Sequence, residues 1–132
     1  MNATTTDSPR VRDGELSAFQ EDILYAIAGY ESQYYTPDGA LALGRSVDHD
    51  VGDGDPRPYG LAIKSILEDR YGERVYHGRL YPNLNELEDK GLIRSGKFDE
   101  RTNWYSLTQA GHNYLQRRQK WQTACLQGGD QS

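Results

Sequence analysis

Three leucines, a glycine and an apolar pair constrain this 132-residue chain more than any other feature: Leu80, Leu84 and Leu87, then Gly91, then Leu92 and Ile93. Spacings of four and three put the leucines on one side of a helix over 78–90. A glycine in the left-handed region is a common helix stop, and an apolar residue directly after it packs back onto the helix end. Pro82 belongs in a first turn, so this helix starts near Tyr81 or has an irregular first turn. With its leucines turned inward, the opposite side faces solvent or a ligand.

The segments on either side supply the rest of a core. Downstream, Leu92–Phe98 and Asn103–Leu107 are rich in strand-forming residues, and Asp99-Glu100-Arg101-Thr102 forms the turn of a hairpin between them. Thr108 then caps a last helix, with Gly111, Tyr114, Leu115, Trp121 and Cys125 roughly on one side. Upstream, residues 59–71 carry Leu61, Ile63, Ile66, Leu67 and Tyr71 at helical spacing, ended by Gly72. Residues 17–30 form an earlier helix. Its apolar face is Phe19, Ile23, Ile27 and Tyr30, widened by Leu24 and Ala28; Ser17 is the cap, and Glu21 and Asp22 lie near the first turns. The order is helix, helix, helix, hairpin, helix. That is a mainly α fold with a small β wing: a winged helix-turn-helix with an additional C-terminal helix.

The length suits one domain. Its expected limits are 15–127, with the wing at 92–107 and the last helix at 108–127. Residues 1–14 read as a flexible arm carrying Arg10 and Arg12, and 128–132 as a frayed tail. Residues 31–58 read as an acidic, aromatic insertion with one short helix near 38–45. Its Gly52-Asp53-Gly54-Asp55 run resembles a calcium loop, but Arg57-Pro58 stands where a further carboxylate is needed. No metal or cofactor is expected.

Charge is unevenly spread. The chain has 15 basic and 20 acidic residues, a formal net charge of -5. The acidity lies in residues 1–58; residues 59–107 balance eight basic against eight acidic groups, and the C-terminal segment is weakly basic. Arginine outnumbers lysine eleven to four and aspartate outnumbers glutamate twelve to eight, a balance that suits concentrated salt. The single cysteine, Cys125, excludes an internal disulfide; it reads as a part-buried thiol, a redox-sensing or intersubunit role being the alternative. No apolar stretch reaches the length of a membrane span, and the polar N-terminus lacks a signal-peptide core, so a cytoplasmic location is expected.

A helix braced by a hairpin has the shape to enter the major groove of B-form DNA while the hairpin reaches the backbone. Arg79, Pro82, Asn85, Glu86 and Asp89 lie away from the leucines, with Asn83 at the flank. Arg79 and Asn85 suit base edges or phosphates; Glu86 and Asp89 do not. The N-terminal half of this helix therefore approaches DNA, where free backbone amides and the positive dipole end favour phosphate. Arg94, Lys97, Arg101, Thr102 and Asn103 of the wing, with Tyr59 and Lys64 of the preceding helix, are the expected backbone contacts.

The runs YGLAIKSILEDRYG, HGRLYPNLNELEDKGLI and TNWYSLTQAG, with LSAFQEDILYAIAG at 16–29, resemble the PadR-type winged-helix transcriptional regulators, in particular the small PadR-like regulators of halophilic archaea that include an oxidative-stress regulator. The resemblance implies a dimeric, promoter-binding regulator, usually a repressor, whose helix at 78–90 reads the major groove. It matches Arg79, Tyr81, Pro82 and Asn83 to the reading motif, and Thr108 with Gly111 to the start of a dimerising helix. The segment 31–58 departs from the usual pattern, which passes directly from the first helix to the second.

Double-stranded DNA with a pseudo-palindromic operator and a second copy of the chain are thus the expected partners, with bridging cations at high salt. Phe19, Tyr114, Leu115, Arg118, Trp121 and Cys125 are the expected dimer contacts. Catalysis is not expected: His49, His77 and His112 have no ligand spacing, and no nucleophile motif is present. The alternative is a winged helix that binds protein instead of DNA, which the net negative charge favours.

Overall fold

The computed structural model describes residues 11–12, 14–35 and 57–127. Six elements follow in chain order: α1 (Ala18–Tyr35), α2 (Gly60–Tyr71), α3 (His77–Asp89), β1 (Ile93–Lys97), β2 (Asn103–Leu107) and α4 (Gln109–Gln127). The architecture is the expected one, mainly helical with one antiparallel hairpin and an additional C-terminal helix. The short helix expected at 38–45, the Asp-Gly run and most of the arm lie outside the described residues.

Reciprocal hydrogen bonds start α1. The Ser17 hydroxyl accepts from Gln20 N at 3.1 Å, and the Gln20 side chain accepts from Ser17 N at 3.1 Å. The helix continues five residues past the expected end at Tyr30. Beyond that point it has a polar anchor, because the Glu31 carboxylate accepts a 3.0 Å bond from the Ser106 hydroxyl of β2. Ile23, Leu24 and Ile27 are fully buried, and α1 packs against α2, α3, α4 and β2. It is the centre of the core.

The leucine face of α3 points inward as expected: Leu80, Leu84 and Leu87 have no exposed surface. The helix begins at His77 and passes through Pro82 without a break. Proline offers no N–H to the Gly78 carbonyl, but Gly78 is exposed, so water can take the missing donor's place. At the other end Gly91 has φ +80°. Its N–H bonds the Glu88 carbonyl at 2.9 Å, and Leu92 N bonds the Leu87 carbonyl at 3.1 Å. These two bonds satisfy the last carbonyls and deliver Leu92 and Ile93 into the core.

The hairpin pairs Ile93 with Leu107 through to Lys97 with Asn103. Its turn is held by Asp99, whose carboxylate accepts from the backbone of Arg101 and of Thr102 at 2.9 Å each. A short third segment joins it, which the sequence does not announce. Tyr59 bridges to Trp104, and Tyr105 N donates to the Pro58 carbonyl at 2.8 Å.

Thr108 caps α4 as expected, accepting from Gly111 N at 3.1 Å and donating to the Gly91 carbonyl at 2.7 Å. Gly111 lets α4 sit close to the start of β1, since a Cβ there would strike the Leu92 carbonyl. The first half of α4 buries Tyr114 and Leu115, whereas residues 119–127 are all exposed. Among the described residues no helix is long and apolar enough to cross a membrane.

Candidate nucleic-acid interface

Three elements meet around the outer side of α3. Tyr59, just before α2, packs edge-on against Phe98 at the end of the wing, with ring centres 6.2 Å apart. Tyr81 crosses from α3 onto Gly60 at the start of α2, where any Cβ would collide with its ring. Burial pushes the Tyr81 phenol above its ordinary pKa, so it keeps its proton. Between Tyr59, Leu61, Tyr81 and the wing residues Arg101, Thr102 and Asn103 lies an open cleft of about 240 Å³. Five of the expected contacts thus converge on one opening, beside the N-terminal end of α2.

The wing is stiffened at its middle. Gly96 pairs with Trp104, whose indole covers the glycine so closely that a Cβ would overlap it. The Arg57 guanidinium lies 4.0 Å from the centre of the Trp104 ring. Arg94, Lys97 and Arg101 are exposed, so the wing carries three cations to solvent. The backbone amides of Arg101 and Thr102 hold the Asp99 carboxyl below its ordinary pKa and keep it ionised near those cations.

On α3 itself, Arg79, Pro82, Asn85, Glu86 and Asp89 are all exposed, as the helical wheel requires. Their side chains are not equally available. The Arg79 guanidinium lies 3.8 Å from the centre of the Phe19 ring, a cation–π contact to α1. Asn83 donates to the Arg79 carbonyl at 2.8 Å and accepts from the Gln20 amide at 2.9 Å, so both ends of its amide are held inside the protomer. Lys64 reaches along α2 to Glu68 at 3.0 Å, and that carboxylate also accepts from Val75 N at 2.8 Å. Val75 N and Lys64 hold the Glu68 carboxyl below its ordinary pKa, which fixes the connection between α2 and α3.

Residues that sequence reasoning passed over complete the surface. Tyr76 is 63% exposed directly ahead of α3, with Arg74 over its ring at 5.6 Å. His77 stacks on Tyr81, with ring centres 5.3 Å apart and planes 6° from parallel. Leu61 is 54% exposed at the start of α2. The only signal for the first two was their position ahead of the leucine stripe; Leu61 fitted the apolar period of its helix and reads as core.

The expected dimer contacts separate into two sets. Phe19, Tyr114 and Leu115 are buried within the protomer, and the Tyr114 hydroxyl donates to Glu21 at 2.6 Å. Their apolar surface is already covered by the chain's own core. Trp121 is 55% exposed, and Cys125 is exposed and not the part-buried thiol expected, because this half of α4 runs beyond the protomer core; Leu126 joins them at 87%. Arg118 lies between the sets, 3.3 Å from Glu21 and 5.2 Å from the Trp121 ring centre.

A leucine-anchored helix, its helical neighbour and a hairpin with exposed cations make a winged helix-turn-helix, the architecture of a large class of transcriptional regulators. The model of the transcriptional regulator PadR-like family matches residues 54–117. Among solved structures, H. salinarum RosR grown from NaBr is 35% identical, covering 84% of this chain and 77% of its own with a TM-score of 0.63. The hsRosR-S1 complex is 34% identical over 86% of this chain and 79% of its own, TM-score 0.65. The hsRosR-S4 complex is 37% identical over 85% and 73%, TM-score 0.61. No curated protein matches significantly. The chain belongs to the PadR-like family of transcriptional regulators, and its role is therefore regulatory and not catalytic.

Proposed function

We propose that this regulator binds a pseudo-palindromic DNA operator as a homodimer in the cytoplasm and acts at promoters as a repressor, in a stress response as its sequence resemblance to the small halophilic PadR-like regulators suggests. The observation that carries this reading is the division of α3, with three fully buried leucines on one side and Arg79, Pro82 and Asn85 exposed on the other, next to the wing. In this reading the N-terminal half of α3 enters the major groove. Arg94, Lys97, Arg101, Thr102 and Asn103 contact the backbone, with Tyr59 and Tyr81 at the cleft. Asn83 positions the Arg79 backbone, and Lys64 steadies the turn ahead of α3 through Glu68.

One recognition helix reads only a few base pairs, so two-fold repetition is the physical route to specificity. The second half of α4, with Trp121, Cys125 and Leu126 exposed beyond the protomer core, supplies the dimer surface, and Arg118 borders it. The domain limits 15–127, the N-terminal arm and the 31–58 insertion are part of the same reading. Bridging cations offset repulsion between the acidic segments and the phosphates at high salt.

Selection of binding sites from random duplexes at several salt concentrations tests this. A palindromic consensus is the expected result. Failure to enrich any duplex at every salt concentration sinks the reading and favours a protein-binding winged helix, for which the exposed Glu86, Glu88 and Asp89 on α3 are the best support.

A further inference from the structure

Three of the polar side chains expected to read DNA are engaged within the protomer, while two large apolar side chains of the same surface are more than half exposed. Asn83 is bonded at both ends, Lys64 is paired with Glu68, and Arg79 lies on Phe19. Against them stands a strip of aromatic and aliphatic surface. Leu61 and Tyr81 line the same cleft, His77 stacks on Tyr81, and Tyr76 precedes His77. Leu61 and Tyr76 are two of the few large apolar side chains left exposed among the described residues.

We propose that this strip gives the protein its sequence preference by apolar contact with thymine 5-methyl groups in the major groove, with Tyr76 as the principal reader and Leu61 as the second. The proposal rests on the DNA-binding reading of the same surface. Its physical ground is narrow. The edges of DNA bases in the major groove are hydrogen-bonding groups except for one apolar substituent, the methyl at C5 of thymine. An exposed leucine gains nothing from a phosphate and has no donor for a base edge, whereas burying a methyl against it is favourable. Tyr76 sits at the helix end that enters the groove first. Arg74, over the ring's face, brings a cation to the same place, which suits the phosphate flanking the contacted base.

The test uses the full-length protein and the duplex consensus obtained by selection. Each thymine is replaced singly by deoxyuridine, which removes the methyl and leaves every hydrogen-bonding group in place. Affinity is expected to fall about fourfold for each contacted methyl, at one or two positions in each half-site. Tyr76→Ala should bind the thymine operator more weakly and lose the thymine–uracil difference at one position. Leu61→Ala should lose it at another. Both side chains are more than half exposed, so both variants keep the core. Equal binding of thymine and uracil duplexes by the unaltered protein overturns the proposal while leaving the DNA-binding reading intact. A thymine preference that survives both substitutions also overturns it. If no duplex is bound at all, the failure belongs to the underlying reading.

Discussion

The Arg79 guanidinium lies over the Phe19 ring, 3.8 Å from its centre, and ties the recognition helix to the helix at the middle of the core. This contact gives Phe19 an intramolecular task that its place on an apolar stripe did not reveal. It also pre-sets the direction in which Arg79 leaves α3.

Phe19→Leu keeps an apolar side chain in the core but removes the ring face. A cation–π contact of about 1 kcal/mol corresponds to about a fivefold loss of operator affinity as Arg79 loses its support. Phe19→Tyr, which retains the ring, should bind like the unaltered protein. Fluorescence anisotropy with the selected duplex measures both, and equal affinities for the two variants would falsify the positioning role.

Gly96→Ala places a methyl against the Trp104 indole at the centre of the wing. Overpacking of this kind costs about 1–3 kcal/mol. The midpoint of thermal unfolding should drop, and DNA binding should weaken as the cationic strand shifts. An unchanged midpoint would mean that the indole swings away at little cost.

Glu31 has a pH signature. Burial raises its carboxyl pKa, only partly opposed by hydrogen bonds from the Ser106 hydroxyl and the Leu107 backbone. A raised folded-state pKa means that this group's favourable contribution is present below the unfolded value and is lost as pH rises through the folded one. Glu31→Gln keeps an acceptor for Ser106 and removes the half-buried charge. It should raise the melting temperature at pH 7, with the gain fading towards pH 4. A variant less stable at pH 7 would show that the charged form is the favoured one.

Trp121→Glu tests the dimer surface. The residue is 55% exposed and outside the buried half of α4, so the protomer should fold normally. Loss of a central aromatic anchor is worth about 2 kcal/mol or more, and the dimer dissociation constant should rise at least tenfold. Sedimentation across a concentration series, with circular dichroism as the control for folding, reads the outcome. Cys125→Ser in the same assay should leave the dimer intact, and retained oxidant sensitivity in that variant would exclude the thiol as a sensor.

Salt dependence follows from the net charge of -5. In concentrated salt the release of condensed counterions contributes little to binding, so within that range the logarithm of affinity should fall only slightly with the logarithm of potassium chloride concentration, or rise as the acidic segments are screened. A steep fall would show that counterion release by the exposed wing cations dominates binding even in concentrated salt.

Local features were readable in the residues themselves. The leucine face of α3, the Gly91 stop, the Ser17 and Thr108 caps and the hairpin all depend on neighbours a few positions away, where backbone hydrogen bonding and periodicity leave a direct trace. What only the folded molecule decided involves distant partners. Asn83 meets Gln20 across 63 positions, and Tyr114 meets Glu21 across 93. The strand-like bridge at Tyr59 depends on Trp104. A polar side chain on an outward helix face looks the same in sequence whether it is free or bonded to another helix, and an apolar one looks like core until the packing leaves it outside. That is why the bond of Asn83 to Gln20 and the exposure of Tyr76 and Leu61 are legible only in the folded molecule.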